Sequence, residues 1–134
     1  MTGKSQSIPS FCRRTGDADC KTILIVEDEM LVAWDIEQTL RDHNFKDFKL
    51  ATSCKGAREQ IERTPRQISL IILDLKLEDG DATALIDEFR AHMIPVLVVT
   101  GYIGFAHAQI PVVYKPFLTG TLLEAVYSLL VRRC

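Results

Sequence analysis

Leu70-Ile71-Ile72-Leu73-Asp74 is the stretch that decides the fold. Four apolar residues run without alternation and an acid closes them. A short apolar run of this kind, with β-branched residues inside it, suits a strand buried on both faces. Such strands belong to parallel sheets covered by helices on each side. The same pattern recurs on either side of it. Upstream, Ile23-Leu24-Ile25-Val26 is followed at once by Glu27-Asp28-Glu29. Downstream, Val96-Leu97-Val98-Val99 is followed by Thr100-Gly101. The shorter Val112-Val113 leads into Tyr114-Lys115-Pro116-Phe117. Phe48-Lys49-Leu50-Ala51 is weaker and reads as an edge strand.

Amphipathic helical patterns fill the gaps. Val32, Ile36 and Leu40 share one helix face. Ala57 and Ile61 share the next, in a segment that stops before Pro65. Leu85 and Phe89 share a third, which stops before Pro95. Leu122, Val126, Leu129 and Leu130 form the last stripe. Ser53 and Thr119 are candidate N-caps. The order is β-α-β-α-β-α-β-(short)-β-α. It predicts an α/β fold: a five-stranded parallel sheet, order 2-1-3-4-5, with helices on both faces. One link is unusual. Only about ten residues, Gly101 to Pro111, join strands four and five, whereas a parallel crossover takes a dozen or more. The fourth helix is therefore expected to be short or irregular.

The rest of the chain adds little chemistry. It has 134 residues, a formal charge of -2, 47% hydrophobic and 25% charged residues. That is one domain able to bury its own core, with no basic field to attract nucleic acid. Residues 1–20 are polar and aperiodic and read as a flexible tail before a domain over 21–134. No apolar run is long enough to span a bilayer, and no secretory leader is visible, so a cytoplasmic location is expected. Cys12, Cys20, Cys54 and Cys134 form no Cys-x-x-Cys pair, and His43, His92 and His107 are scattered. Free thiols and surface histidines are the plain reading.

The polar residues at the strand ends are different. In a 2-1-3-4-5 sheet, Glu27 and Asp28 after strand one, Asp74 after strand three, Thr100 at strand four and Lys115 after strand five converge on one edge. Singly, each is an ordinary cap or turn residue. Together they form a chemical set. Clustered carboxylates call for a hard cation such as Mg²⁺ (or Mn²⁺), which prefers oxygen ligands and a phosphate partner. Asp74 can act as a nucleophile toward phosphorus. Lys115 and the Thr100 hydroxyl can meet phosphoryl oxygens.

On these residues the chain resembles the receiver domains of bacterial response regulators. The matching pieces are Ile23–Glu29, Leu70–Leu77 with Asp79-Gly80, Val98–Gly101 and Tyr114–Phe117. The resemblance implies that Asp74 is the phosphoacceptor and that Glu27 and Asp28 hold the metal, Glu27 through water. It implies the Lys76 backbone carbonyl as a further ligand, Thr100 as the switch hydroxyl and Lys115 as the phosphate contact. It implies a cis Lys115–Pro116 bond. It also places Lys76 and Tyr102 where the family tunes phosphoryl lifetime, Tyr102 by shielding the group from water. The implied partners are a sensor histidine kinase and a downstream protein or phosphotransfer protein, with no nucleic acid or membrane. The implied chemistry is limited to the chain's own phosphotransfer and dephosphorylation, so it is not an enzyme acting on other substrates.

Two departures stand out. The usual switch aromatic, three residues before the lysine, is Val112 here. Thr100-Gly101-Tyr102 and Lys115-Pro116-Phe117 partly match an alphaproteobacterial subfamily whose strand four ends Phe-Ala-Thr-Gly, often found beside atypical histidine kinases. Here Val98-Val99 replaces Phe-Ala. The Gly101–Pro111 segment is expected to carry any phosphorylation-dependent change. The chain ends at the last helix with Arg132-Arg133-Cys134, which reads as a single-domain regulator. Two rivals are weaker. A degenerate receiver serving as a phosphorylation-independent binding module would not need the intact acids. A doubly wound enzyme would need a glycine-rich first turn or a second acid beside Asp74, and neither is present.

Overall fold

The computed structural model describes residues 22–132. The tail over 1–20, Cys12, Cys20 and Cys134 lie outside these residues. The main sheet contains β1 (Thr22–Val26), β2 (Asp47–Ala51), β3 (Ile68–Leu73), β4 (Val96–Thr100) and β5 (Val112–Tyr114). All its pairings are parallel, and the order is 2-1-3-4-5. Four helices cover it: α1 (Met30–Arg41), α2 (Cys54–Arg63), α3 (Thr83–Ala91) and α4 (Thr119–Arg132).

Every residue of β3 is buried. The period of two then sorts the strand residues between two cores. Ile23, Ile25, Leu70, Ile72, Leu97 and Val99 pack with Ile36 and Leu40 of α1 and Leu122 and Val126 of α4. Leu24, Val26, Ile71, Leu73, Val96 and Val98 pack with Ala57 and Ile61 of α2 and Leu85 and Phe89 of α3. This double burial is why the strands read as unbroken apolar runs. β2 lies at the edge and buries only Ala51.

The helix ends follow local chemistry. Ser53 caps α2, its side-chain oxygen accepting from the Gly56 N–H at 2.9 Å. Thr119 does not cap α4. The Leu118 carbonyl accepts the first i+4 bond, from Leu122 N–H, so Thr119 already lies inside the helix. α1 and α3 both end in a left-handed residue, Asn44 (φ 74) and Met93 (φ 64). In each case the next N–H reaches back five residues, Phe45 to the Leu40 carbonyl and Ile94 to that of Phe89. That is the Schellman arrangement, closed by burying Phe45 and Ile94.

Two features differ from the simplest expectation. A two-stranded hairpin, Lys76–Leu77 against Gly80–Asp81, follows β3 directly. Gly80 takes φ +132, a conformation L side chains rarely adopt. The Gly101–Pro111 link contains no helical turn at all. It is held instead by side chains. The Tyr114 hydroxyl donates to the Phe105 carbonyl at 2.6 Å, and Arg90 Nη1 donates to Gln109 Oε1 at 2.8 Å. The Tyr102 ring folds back over Gly104, where an added Cβ would sit 2.7 Å from it.

Candidate phosphoryl and metal site

The sheet ladder continues one bond past each strand and so fixes the backbone of the polar residues. Glu27 N–H donates to the Ala51 carbonyl, Asp74 N–H to Val26, and Lys115 N–H to Thr100, each at 2.9 Å. These bonds place residues distant in sequence side by side at the carboxyl ends of the strands.

The side chains then converge. Lys115 Nζ donates to Glu27 Oε1 at 2.8 Å and to Asp74 Oδ2 at 3.3 Å. Glu29 Oε1 lies farther from it, at 3.7 Å. Glu27 and Asp74 are buried, and Asp28 is half-buried. One carboxylate oxygen from each of Glu27, Asp28 and Asp74 falls within 4.8 Å of the others. The Lys115–Pro116 peptide is cis.

Electrostatics at this point are unbalanced. Four carboxyl groups, counting Glu29, face one ammonium. Burial pushes the Glu27 carboxyl from its ordinary 4.5 up to about 7, and the nearby Asp74 charge adds to this. The bonds from Lys115 and from the Glu29 N–H oppose the rise but do not cancel it. Burial also lowers the Lys115 ammonium, yet its bonds to Glu27 and Asp74 outweigh that and hold it above the usual lysine value. Three convergent hard oxygen donors with a surplus of negative charge are the donor set that fits a small divalent cation.

The other expected residues lie nearby without joining this contact set. Thr100 is buried at the end of β4, and its hydroxyl accepts from Tyr102 N–H at 3.1 Å. Tyr102 itself is exposed. Lys76 opens the hairpin two residues after Asp74, with its side chain exposed. Val112 is half-buried beside the core formed with α2 and α3. Sequence reasoning missed Glu29 as a partner of Lys115. It also missed the hairpin turn. There Asp79 accepts from the Cys54 and Lys55 N–H groups, which hold its carboxyl below the usual aspartate value. The Asp79-Gly80 pair was a visible turn signal, but nothing in the sequence says where the turn docks.

Comparison with known proteins bears on the family and the fold. A family model described as the response regulator receiver domain matches residues 23–126. The KDP operon transcriptional regulatory protein KdpE of Escherichia coli is 35% identical over 79 residues, 58% of this chain and 34% of that protein. The matched region thus spans about a third of that regulator. SdrG from Sphingomonas melonis superposes with a TM-score of 0.71 at 30% identity, covering 84% of this chain and 98% of that one. A response regulator receiver protein from Sinorhizobium medicae gives a TM-score of 0.76 over 87% of this chain and 98% of its own. At 23% identity, that likeness concerns the fold alone.

Proposed function

This chain belongs to the response regulator receiver domain family of two-component systems, and from that premise we propose that Asp74 accepts a phosphoryl group from the phosphohistidine of a sensor kinase. The observation that carries the reading is the position of Lys115 Nζ, 2.8 Å from Glu27 and 3.3 Å from Asp74 within a three-carboxylate cluster. Glu27, Asp28 and Asp74, with the Lys76 backbone carbonyl, would hold Mg²⁺. When bound, the ion neutralises the carboxylates and the incoming phosphoryl oxygens.

The chain's own groups do the rest. An Asp74 carboxylate oxygen forms the new O–P bond as the donor's P–N bond breaks, and the electron pair of that bond leaves with the imidazole. Lys115, already charged and already at Asp74, turns its ammonium toward a phosphoryl oxygen. The Thr100 hydroxyl donates to another, which its existing bond from Tyr102 N–H permits, since a hydroxyl both donates and accepts. Tyr102 stands at the mouth and limits access of water to the aspartyl phosphate. Mass analysis after incubation with acetyl phosphate and Mg²⁺ tests the reading: a phosphate increment on Asp74 supports it, and none under any condition overturns it.

The raised Glu27 carboxyl gives a pH signature. The folded protein binds this proton up to about pH 7, the unfolded chain only to about 4.5. Its contribution to stability is therefore present below 4.5 and lost as pH rises through about 7. In the metal-free protein the melting temperature falls between about pH 5 and about pH 8. Mg²⁺ raises it more at the higher pH, where Glu27 is free to face a cation. Equal Mg²⁺ effects at both pH values, read by calorimetry, would contradict this account.

A protein donor must also reach the site. Met30, Leu31 and Trp34 of α1, directly after the acids, are 55%, 84% and 62% exposed, and Leu118 after the lysine loop is 76% exposed. Large exposed apolar side chains next to a charged site suit a protein partner. Leu31→Asp should slow transfer from a kinase that labels the wild-type chain by roughly tenfold or more, the range of a lost interface anchor. Labelling by acetyl phosphate should not change. A parallel loss with both donors would remove the case for docking here.

A further inference from the structure

The first turn of α2 is capped twice, and the second cap comes from far away. Ser53 Oγ accepts from Gly56 N–H at 2.9 Å, as an N-cap does. The other two free donors of that turn are taken by Asp79: Cys54 N–H to Oδ1 at 2.7 Å and Lys55 N–H to Oδ2 at 3.1 Å. Asp79 stands in the turn of the hairpin that begins at Lys76. Its neighbour Glu78 accepts from Thr52 Oγ1 at 3.2 Å. The hairpin is thus fastened at its tip to the β2–α2 corner. Its base is fastened at Asp74, whose N–H donates to Val26, and at Leu75, whose carbonyl accepts from Ala82 N–H at 2.7 Å. The same corner accepts Glu27 N–H at the Ala51 carbonyl, 2.9 Å away. One rigid corner therefore references both Glu27 and the peptide units after Asp74.

We infer that Asp79 is a positioning residue for the metal site: its two bonds to the start of α2 set the height of the Lys76 backbone relative to Glu27, Asp28 and Asp74. This rests on the reading that these residues hold Mg²⁺. The reason for so strict a clamp is geometric. Mg²⁺ demands near-ideal octahedral placement of its ligands, and a backbone carbonyl has no side-chain torsion with which to adjust. The carbonyl can be placed only by placing its loop. An ionised carboxylate accepting two backbone N–H groups at a helix N-terminus is a strong fastening for that purpose.

The test is the Mg²⁺ dissociation constant of the full chain, measured by titration calorimetry with MgCl₂ alone. Asp79→Ala should weaken binding by roughly tenfold or more, as loss of groups that orient metal ligands does. Asp79→Asn, which keeps one acceptor oxygen, should fall between. Ser53→Ala removes the other cap of the same turn; it should melt lower yet bind Mg²⁺ as the wild type does. Should Asp79→Ala fail to fold, Asp79→Asn against Ser53→Ala carries the comparison. Wild-type affinity in folded Asp79 variants overturns the inference while leaving the site reading intact, and so does an equal loss in Ser53→Ala. Absence of Mg²⁺ binding by the wild-type chain overturns both.

Discussion

Asp74→Asn should abolish phosphate uptake: incubated with Mg²⁺ and acetyl phosphate, the variant is expected to show no mass increment where the wild type is expected to show one. The effect is all or none because the reaction needs a carboxylate oxygen carrying negative charge, and an amide oxygen does not supply it. The substitution is close to isosteric, so the surrounding packing stays. Folding also survives on electrostatic grounds. The Asp74 charge is one of the causes that raise Glu27, and removing it relieves that repulsion, while Lys115 keeps its 2.8 Å bond to Glu27. The variant should melt within a few degrees of the wild type, and loss of labelling then reports chemistry. Amide exchange on the same samples reads the consequence. Labelled wild type should change protection across Gly101–Pro111, the segment tied to Thr100 and Tyr114. Asp74→Asn should not. Labelling of Asp74→Asn at Asp28 or Glu27 would defeat the assignment of Asp74 as the sole acceptor.

Lys115→Ala has the second largest effect, and it is an effect on stability that depends on pH. Among the described residues, Lys115 is the only ammonium in contact with the cluster, at 17% exposure against 2% for Glu27 and 9% for Asp74. Stranding a buried charge by removing its partner typically costs ~3–5 kcal/mol. Here the cost at about pH 8 should be about 2–4 kcal/mol, because the site keeps some solvent and Glu27 can take up a proton. That corresponds to a melting drop on the order of 10 °C. The bond from Lys115 holds Glu27 down, so its loss lifts the Glu27 carboxyl above about 7. The deficit should therefore shrink toward about pH 6, where the proton replaces the ammonium, and grow as pH rises. Mg²⁺ should restore part of it. A deficit of equal size at both pH values, unmoved by Mg²⁺, would mean that Lys115 acts by packing its stem and not by its charge.

These expectations show how much was legible beforehand. The five strands, their order and the four covering helices follow from the apolar runs and the spacing between them. Burial on both faces removes polar residues from a strand, and that leaves a mark in one dimension. The lack of a regular fourth crossover helix was legible too, because Gly101–Pro111 is too short for one. The small hairpin was not, since two-residue strands carry no periodicity. Thr119 was misplaced by one position as a cap, because Leu118 supplies only its carbonyl and every residue has one of those.

At the candidate site the division is sharper. The sequence by itself determined which polar residues end the strands, because the unbroken apolar runs of strands covered on both faces stop at them. Glu27, Asp28, Asp74, Thr100 and Lys115 were singled out by that placement together with the expected strand order and their shared chemistry. Only the tertiary structure decided which of them touch. Lys115 chooses Glu27 over Glu29, and Thr100 takes the Tyr102 N–H instead of an acid. Asp79 leaves its own turn to cap a helix that begins 25 residues earlier. Contacts of this kind depend on distances of a few tenths of an ångström between elements far apart in the chain. Local pattern carries no record of such distances, and they come into being only when the sheet sets its register and the helices close over it.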